Sequence, residues 1–223
     1  MRHIISISDL SDRDLLCIVE RGVEMRRAVL SGELVESLGG TIVGSLFRKT
    51  STRTRTAFTS GALRLGARTL AYGPDELQTN TGETIEDTTR VLSSMLDLLV
   101  ARTAGPMEEL RCLASQDRMH VVNAMNDSEH PTQALNDLTT ILHRFGGIEG
   151  LRILYVGEGN STAAALALSQ PFRRGAPGVS DPAWVRLGRS RSRTGRDPGR
   201  GELGRETAAR PRRPCRCPWP SAH

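Results

Sequence analysis

The chain has 223 residues, of which 38% are hydrophobic, and this is enough for one large domain or two small ones. Its formal net charge is +5, and no apolar run approaches the roughly 18 residues that a membrane-spanning helix needs. The four cysteines have no paired disulfide spacing, and Asp9 and Asp12 come too early for a signal-peptide core. These features disfavour membrane and disulfide-stabilised secreted proteins and predict a cytoplasmic protein.

The predicted elements alternate between helices and strands over the first three quarters of the chain. Ser11 and Asp14 form a capping box that predicts the start of the first helix. The elements that follow are a strand at 41–47, a helix at 53–66, a strand at 67–73, a helix at 83–95, a strand at 97–102, a helix at 106–115, a strand at 120–125 and a helix at 130–146. This alternation predicts an α/β fold with a doubly wound parallel sheet that helices cover on both faces.

A glycine-rich turn after the last of these helices is interpreted as a hinge between two domains. We therefore predict a first domain over residues 1–148. The start of a second α/β domain is expected over 149–170, with a strand at 151–157.

The composition changes abruptly at the end of this region. Residues 171–223 contain thirteen arginines, eight of the eleven prolines and both tryptophans, without a helical or strand period, so we expect a disordered tail. The tail could bind nucleic-acid phosphates. We favour a shifted reading frame in a GC-rich gene, because arginine outnumbers lysine 29 to one in the chain. Cys215 and Cys217 have no histidine pair nearby, so no metal site is expected there.

The stretch FRKTSTRTRTAF (47–58) lies where a predicted strand gives way to a predicted helix. Helix N-termini offer free backbone N–H groups, and hydroxyl and guanidinium groups bind phosphate oxygens, so this junction predicts a phosphate site. The donors are the hydroxyls of Ser51, Thr52 and Thr54 and the guanidiniums of Arg53 and Arg55. No Walker loop occurs, and GEGNST (157–162) has Thr162 in place of the third glycine of a dinucleotide fingerprint.

Two further strand ends are expected at the same edge of the sheet. Arg102 ends one predicted strand, and His130 opens the helix after another, followed by Gln133. A neutral imidazole beside arginines can donate a hydrogen bond to a carbonyl, and a glutamine amide suits an amide-like group. The combination predicts binding of an acyl phosphate.

Three motifs resemble those of the aspartate and ornithine carbamoyltransferases: STRTR at 51–55, AR at 101–102 and HPTQAL at 130–135. Lys49 before the first motif and Gln78 before ETIEDTTRVL make the chain look more similar to the ornithine branch. The resemblance covers roughly residues 3 to 168.

The resemblance implies a carbamoyl-phosphate site and a role for each matching residue. The implied phosphate ligands are Ser51, Thr52, Arg53 and Thr54. Arg102 and His130 would polarise the carbonyl and, with Arg53, form the catalytic group, while Gln133 would hold the carbamoyl amide. The implied enzyme needs no metal or organic cofactor, and it is a homotrimer in which Gln78 serves a neighbouring subunit.

The acceptor side matches the family less well. No lysine of the aspartate branch occurs in the loop QTNTGE, so an ornithine-like amine is the expected acceptor, with Asn160 as its one candidate ligand. The later acceptor motifs are absent after about residue 169, so we expect the chain alone to be impaired as an enzyme. Alternative functions are a non-catalytic carbamoyl-phosphate-binding remnant and a basic-tailed nucleic-acid-binding protein; we regard nucleic acid as the less favoured partner and expect no membrane partner.

Overall fold

The computed structural model describes residues 2–74, 76–78, 82–148, 151 and 153–169. Its helices are α1 (Asp12–Ser31), α2 (Thr52–Arg64), α3 (Ile85–Met95), α4 (Met107–Leu113), α5 (Pro131–Phe145) and α6 (Ser161–Leu168), with a 3-10 helix at Ile7–Asp9. Its strands are β1 (Ile42–Phe47), β2 (Arg68–Tyr72), β3 (Leu98–Arg102) and β4 (His120–Asn123). The predicted tail 171–223, with Cys215 and Cys217, lies outside the described residues, as does most of the loop around Asn80.

The four strands form one parallel sheet in the order β2-β1-β3-β4. The chain leaves β1 towards β2 on one side, and from β3 it continues to β4 on the other side. The strand order therefore reverses between β1 and β3, where Phe47 is the partner of Arg102 in the register. In open α/β sheets, ligands bind outside the carboxyl ends of the strands at this kind of reversal.

Helices cover both faces of the sheet, which confirms the predicted doubly wound α/β fold. On one face, Leu46 and Leu99 pack against apolar side chains of α3 and α4, such as Leu92 and Leu110. On the other face, Val43, Phe47 and Val100 pack with Ala62 of α2. The alternation of side chains along each strand sends neighbouring residues into these two separate layers.

A third apolar cluster holds α1, α5 and α6 together. Leu15 and Val19 of α1 meet Ala134 and Leu138 of α5, and Ala165 of α6 packs into the same cluster. The capping prediction for α1 is confirmed, because the Asp14 backbone N–H donates to Ser11 Oγ at 3.1 Å. Among the described residues, no helix is long and apolar enough to cross a membrane.

Two strand predictions need correction. The predicted strand at 151–157 is not formed among the described residues of this segment. A strand requires a neighbour with which to share backbone hydrogen bonds, and no described strand pairs with the segment. Leu154 and Val156 are 70% and 71% exposed. The strand predicted at 120–125 ends at Asn123 because Met125 has a φ of 127°, outside the extended region.

Candidate functional site

A cavity of about 870 Å³ opens at the carboxyl ends of β1 and β3, at the reversal of strand order. Seven of the residues singled out in the sequence line it: Ser51, Thr52, Arg53, Thr54, Arg102, His130 and Gln133. The structure thus brings together side chains that are up to 82 positions apart in the chain, from 51 to 133. Ala57, Phe58 and Met125 add apolar wall, and Thr132, Asn136 and Thr162 add polar groups.

Two helices point uncapped N-termini at this cavity. Ser51 at the N-cap of α2 and His130 at the N-cap of α5 make no side-chain capping hydrogen bond. By contrast, side chains cap the helices α1, α3 and α6. The first N–H groups of a helix have no partner within the helix, and its dipole is positive at that end, so both termini can receive an anion.

The arginines of the cavity lack carboxylate partners in the part of the chain that the structure describes. Arg53 is exposed on the first turn of α2, and Arg102 is half-buried at the end of β3. A long hydrogen bond of 3.4 Å joins the guanidinium of Arg102 to Thr54 Oγ1, and the Nε of Arg102 is buried without a partner. Burial lowers the pKa of Arg102. This unpaired positive charge favours binding of an anion.

His130 is held as a neutral imidazole. Only 7% of its surface is exposed, and burial, followed by the nearby charge of Arg102, lowers its pKa from 6.5 to about 4. Its Nδ1 lies 3.3 Å from Thr132 Oγ1, one of the hydroxyls of the cavity. A hydroxyl that donates to Nδ1 leaves the ring proton on Nε2, where it can be donated without bringing a second charge into the site.

Gln133 is oriented by the next turn of its own helix. Its Nε2 donates a hydrogen bond of 2.9 Å to Asp137 Oδ1. Asp137 is half-buried, and burial raises the pKa of its carboxyl, while the hydrogen bond from Gln133 acts in the opposite direction. The sequence motif identified Gln133, and the i,i+4 spacing on the predicted helix was the one signal for this partner.

A buried polar network supports the loop that carries His130, and sequence reasoning missed it. Glu129 is 3% exposed, and its carboxylate accepts hydrogen bonds of 2.7 Å from Ser6 Oγ and from the Ile7 backbone N–H. Asn126 Oδ1 accepts from the Glu129 backbone N–H at 2.8 Å. The sequence gives no sign of this burial, and the partners of Glu129 are needed because a buried carboxylate without them is costly.

The same loop contains a strained residue at the cavity wall. Met125 has a φ of 127°, a value that is rare for a residue with a side chain. Asn123 is fully buried, and its side chain accepts from the Met125 backbone N–H at 2.9 Å and donates to the Ile5 carbonyl at 2.9 Å. These fixed hydrogen bonds hold the loop in a conformation that it would not adopt by itself.

An ion pair joins the start of the loop between β1 and α2 to α4. Arg48 follows β1 directly, and its guanidinium lies 2.6 Å from Glu109 Oε1 on α4. Burial raises the pKa of Glu109, and the charge of Arg48 acts against this shift. The Arg48 backbone N–H also donates to the Arg102 carbonyl at 3.0 Å, which ties the ends of β1 and β3 together.

Three predicted site residues lie outside the cavity. Arg55, predicted as a phosphate donor, is exposed on α2 and does not line the cavity, so that prediction is wrong. Gln78 is exposed in the loop after β2 and does not line the cavity of its own chain. Asn160 is the N-cap of α6, where its Oδ1 accepts from the backbone N–H groups of Thr162 and Ala163 at 3.0 and 3.2 Å. It lines a second cavity of about 480 Å³, on α6 and the loop around Asp127.

Comparison with known proteins places these features in a family. The family model for "Aspartate/ornithine carbamoyltransferase, carbamoyl-P binding domain" matches residues 2–143. The ornithine carbamoyltransferase of Acinetobacter baumannii is 37% identical over 161 residues, which are 72% of this chain and 52% of that protein.

Solved structures agree with the sequence comparison. The ornithine carbamoyltransferase of Pyrococcus furiosus has a TM-score of 0.71 and 33% identity, over 75% of this chain and 53% of that one. An aspartate transcarbamoylase of Trypanosoma cruzi, solved with carbamoyl aspartate and phosphate, has a TM-score of 0.67 and 31% identity, over 75% and 55% of the two chains. The chain spans about half the length of the curated relatives it matches.

Proposed function

The chain belongs to the aspartate/ornithine carbamoyltransferase family, on the ornithine branch, and from this premise we propose that its cavity binds carbamoyl phosphate for transfer of the carbamoyl group to an ornithine-like amine. One observation carries the proposal. The uncapped N-termini of α2 and α5, a neutral histidine and two arginines that have no carboxylate partner among the described residues converge on one cavity at the reversal of strand order.

The phosphate of the ligand binds at the start of α2. The hydroxyls of Ser51, Thr52 and Thr54 and the guanidinium of Arg53 surround this helix N-terminus, and all four side chains line the cavity. Charge-assisted hydrogen bonds to phosphate are about twice as strong as neutral ones. The uncapped backbone N–H groups of the first turn complete the site without further rearrangement.

The carbonyl of the ligand lies towards Arg102 and His130. The amine nitrogen attacks the carbonyl carbon, a bond forms between them, and negative charge develops on the carbonyl oxygen. Donors already in place stabilise that oxyanion, and here they are the Arg102 guanidinium, the Thr54 hydroxyl and the neutral His130 ring. The carbon–oxygen bond to phosphate then breaks, and the departing phosphate accepts the proton of the amine.

The remaining partners belong to the same proposal. The chain is a homotrimer in the cytoplasm, and Gln78 completes the cavity of a neighbouring subunit. Its exposed position outside the cavity of its own chain supports this role. If Gln78 completes a neighbour's cavity, the oligomeric state and the affinity for carbamoyl phosphate should change together.

Calorimetric titration with carbamoyl phosphate tests the donor site. Loss of one charge-assisted contact costs about 1.5–3 kcal/mol, so Arg53→Ala should weaken binding at least about tenfold. Arg55→Ala is the matched control, because it removes the same charge from the same exposed helix start without touching the cavity lining. Equal affinities of wild type and Arg53→Ala would refute the site.

A second candidate function is binding of carbamoyl phosphate without transfer. The start of the predicted second domain favours it, since residues 153–157 form no strand there and Leu154 and Val156 are exposed. Citrulline formation from carbamoyl phosphate and ornithine separates the two candidates. Turnover at about 1 s⁻¹ or faster, within the usual enzyme range, supports the transferase, whereas ligand binding without citrulline supports the second candidate.

A further inference from the structure

Asp137 gives Gln133 a fixed polarity towards the cavity. The hydrogen bond of 2.9 Å joins Gln133 Nε2 to Asp137 Oδ1, one helical turn further along α5. An ionised carboxylate can only accept hydrogen bonds, so the half of the glutamine amide that faces it must be the NH₂ group. The other half, the Oε1 carbonyl oxygen, remains available on a side chain that lines the cavity.

We infer that Asp137 is a positioning residue that presents Gln133 as a hydrogen-bond acceptor and thereby makes the cavity select a carbamoyl phosphate over other acyl phosphates. This inference rests on the proposed function. A carbamoyl group carries an NH₂ with two donors on its carbonyl carbon, whereas an acetyl group of nearly the same size carries a methyl. A fixed acceptor oxygen on Gln133 distinguishes the NH₂ group from the methyl group, and a glutamine side chain that rotates freely distinguishes them less well.

The cationic groups and the imidazole of the cavity do not take this role, although its hydroxyls and the Asn136 amide also carry acceptor oxygens. The guanidiniums of Arg53 and Arg102 have donors only, and the Nδ1 of His130 faces the Thr132 hydroxyl. These groups suit the phosphate and the carbonyl oxygen of the ligand. A fixed carbonyl oxygen at Gln133 supplies the complementary acceptor for an NH₂ group.

A simpler interpretation is that the pair only stabilises the helix. Hydrogen-bonded pairs at i and i+4, such as Gln133 and Asp137, add a small amount to helix stability. Such a role would change the affinity for every ligand of the cavity alike. The positioning role predicts a change in the ratio of two affinities, and this ratio separates the two interpretations.

The test compares three ligands on the full chain by calorimetry: carbamoyl phosphate, acetyl phosphate and inorganic phosphate. In Asp137→Leu, the preference for carbamoyl over acetyl phosphate should fall at least about fivefold, as expected for the loss of one hydrogen bond. Inorganic phosphate affinity should stay within about twofold of wild type, because its ligands lie on α2. Asp137→Asn keeps an acceptor oxygen and should restore most of the preference.

Thr140→Leu is the control, because it introduces the same side chain at an exposed position of the same helix outside the cavity. If Asp137→Leu binds phosphate normally and keeps the wild-type preference for carbamoyl over acetyl phosphate, the inference is wrong. The proposed function would then still stand. A wild-type chain that binds none of the three ligands would refute the proposed function itself. If Asp137→Leu also loses phosphate binding, the smaller Asp137→Ala decides by the same ratio.

Discussion

Ser6 Oγ donates a hydrogen bond of 2.7 Å to Glu129 Oε2, although the two residues are 123 positions apart in the chain. The bond is buried, and the same carboxylate accepts from the Ile7 backbone N–H. It attaches the first turn of the chain to the residue directly before His130. The orientation of a proposed catalytic group therefore depends on residues that lie far from the cavity.

Removal of this carboxylate should destabilise the fold. In Glu129→Ala, Ser6 Oγ and the Ile7 N–H become buried donors without an acceptor, and we expect a loss of about 3 kcal/mol in the free energy of unfolding. Urea denaturation measures it. Ser6→Ala removes one donor and the cap of the Ser8 N–H but leaves the carboxylate its backbone partner, so it should cost less, about 1–2 kcal/mol. Similar losses in the two variants would contradict the central role of Glu129.

The low pKa of His130 predicts a pH dependence of stability. Burial first and Arg102 second lower that pKa from 6.5 to about 4. Between pH 4 and pH 6.5, His130 is protonated in the unfolded chain but not in the folded chain. The part of the free energy of unfolding that depends on a neutral His130 is therefore fully present above pH 6.5. It is lost as the pH falls towards 4, by up to about 3 kcal/mol.

NMR titration of the His130 ring measures this pKa directly, and urea denaturation at pH 7 and pH 5 measures its effect on stability. The pKa of His3 is also lowered by burial, so the informative quantity is the difference between wild type and His130→Gln. The wild type should lose more stability than the variant on acidification. Equal losses would mean that His130 titrates normally in the folded chain.

The ion pair between Arg48 and Glu109 predicts a second pH effect, of opposite sign. In Arg48→Met, the mostly buried Glu109 carboxylate loses its counter-charge, and its pKa, already raised by burial, should rise further. We expect a loss of about 2 kcal/mol at pH 7. A group with a raised folded pKa costs stability above that pKa, so the loss should shrink as the pH falls towards 5.

Arg48→Met/Glu109→Gln is the control for this prediction, because it removes both charges and leaves similar side-chain volumes. It should be more stable than Arg48→Met at pH 7 and should have little dependence on pH. A loss in Arg48→Met that stays constant between pH 7 and pH 5 would show that packing of the arginine stem, not its charge, is responsible.

The close packing of α1 against α5 predicts that alanine in place of Gly22 destabilises the chain. A Cβ at Gly22 would lie 2.9 Å from Thr139 Cγ2, too close for an unstrained contact. Gly22→Ala should thus destabilise the chain by about 1 kcal/mol, although alanine favours helix by a similar amount over glycine. Gly22→Ala/Thr139→Ala removes the clash and should be at least as stable as Thr139→Ala alone. Thermal unfolding compares the four chains.

The sequence predicted those parts of the fold and site that depend on local pattern. The alternation of elements gave the parallel sheet, and the density of hydroxyls and arginines after β1 pointed to the junction at 51–54. His130 and Arg102 were found because Arg102 ends one predicted strand and His130 opens the helix after another, and carboxyl ends of parallel strands meet at one edge. The roles assigned to these residues stay predictions until ligand binding is measured.

The parts that sequence reasoning missed depend on distant partners. Glu129 looks like an ordinary surface acid in the sequence, and only the fold supplies Ser6, 123 positions away, as its partner. Asp137 lies one helical turn from Gln133, so the predicted helix already placed the two on one face, but only the structure shows their hydrogen bond. The end of β4 was placed too late, since nothing in the pattern signals a positive φ at Met125. The segment 151–157 has the apolar character of a strand, but that character produces a strand only beside another one.

The pairing of Ile4 with Val122 also has a consequence for the order of biosynthesis. The Ile4 N–H donates to the Val121 carbonyl, and its carbonyl accepts from the Asn123 N–H, each at 2.8 Å. Ile4 is thus synthesised long before the residues with which it pairs, and contacts between residues so far apart in the chain form slowly. Until translation passes Glu129, the apolar residues around Ile4 lack their docking place, and exposed apolar segments of this kind are prone to aggregation.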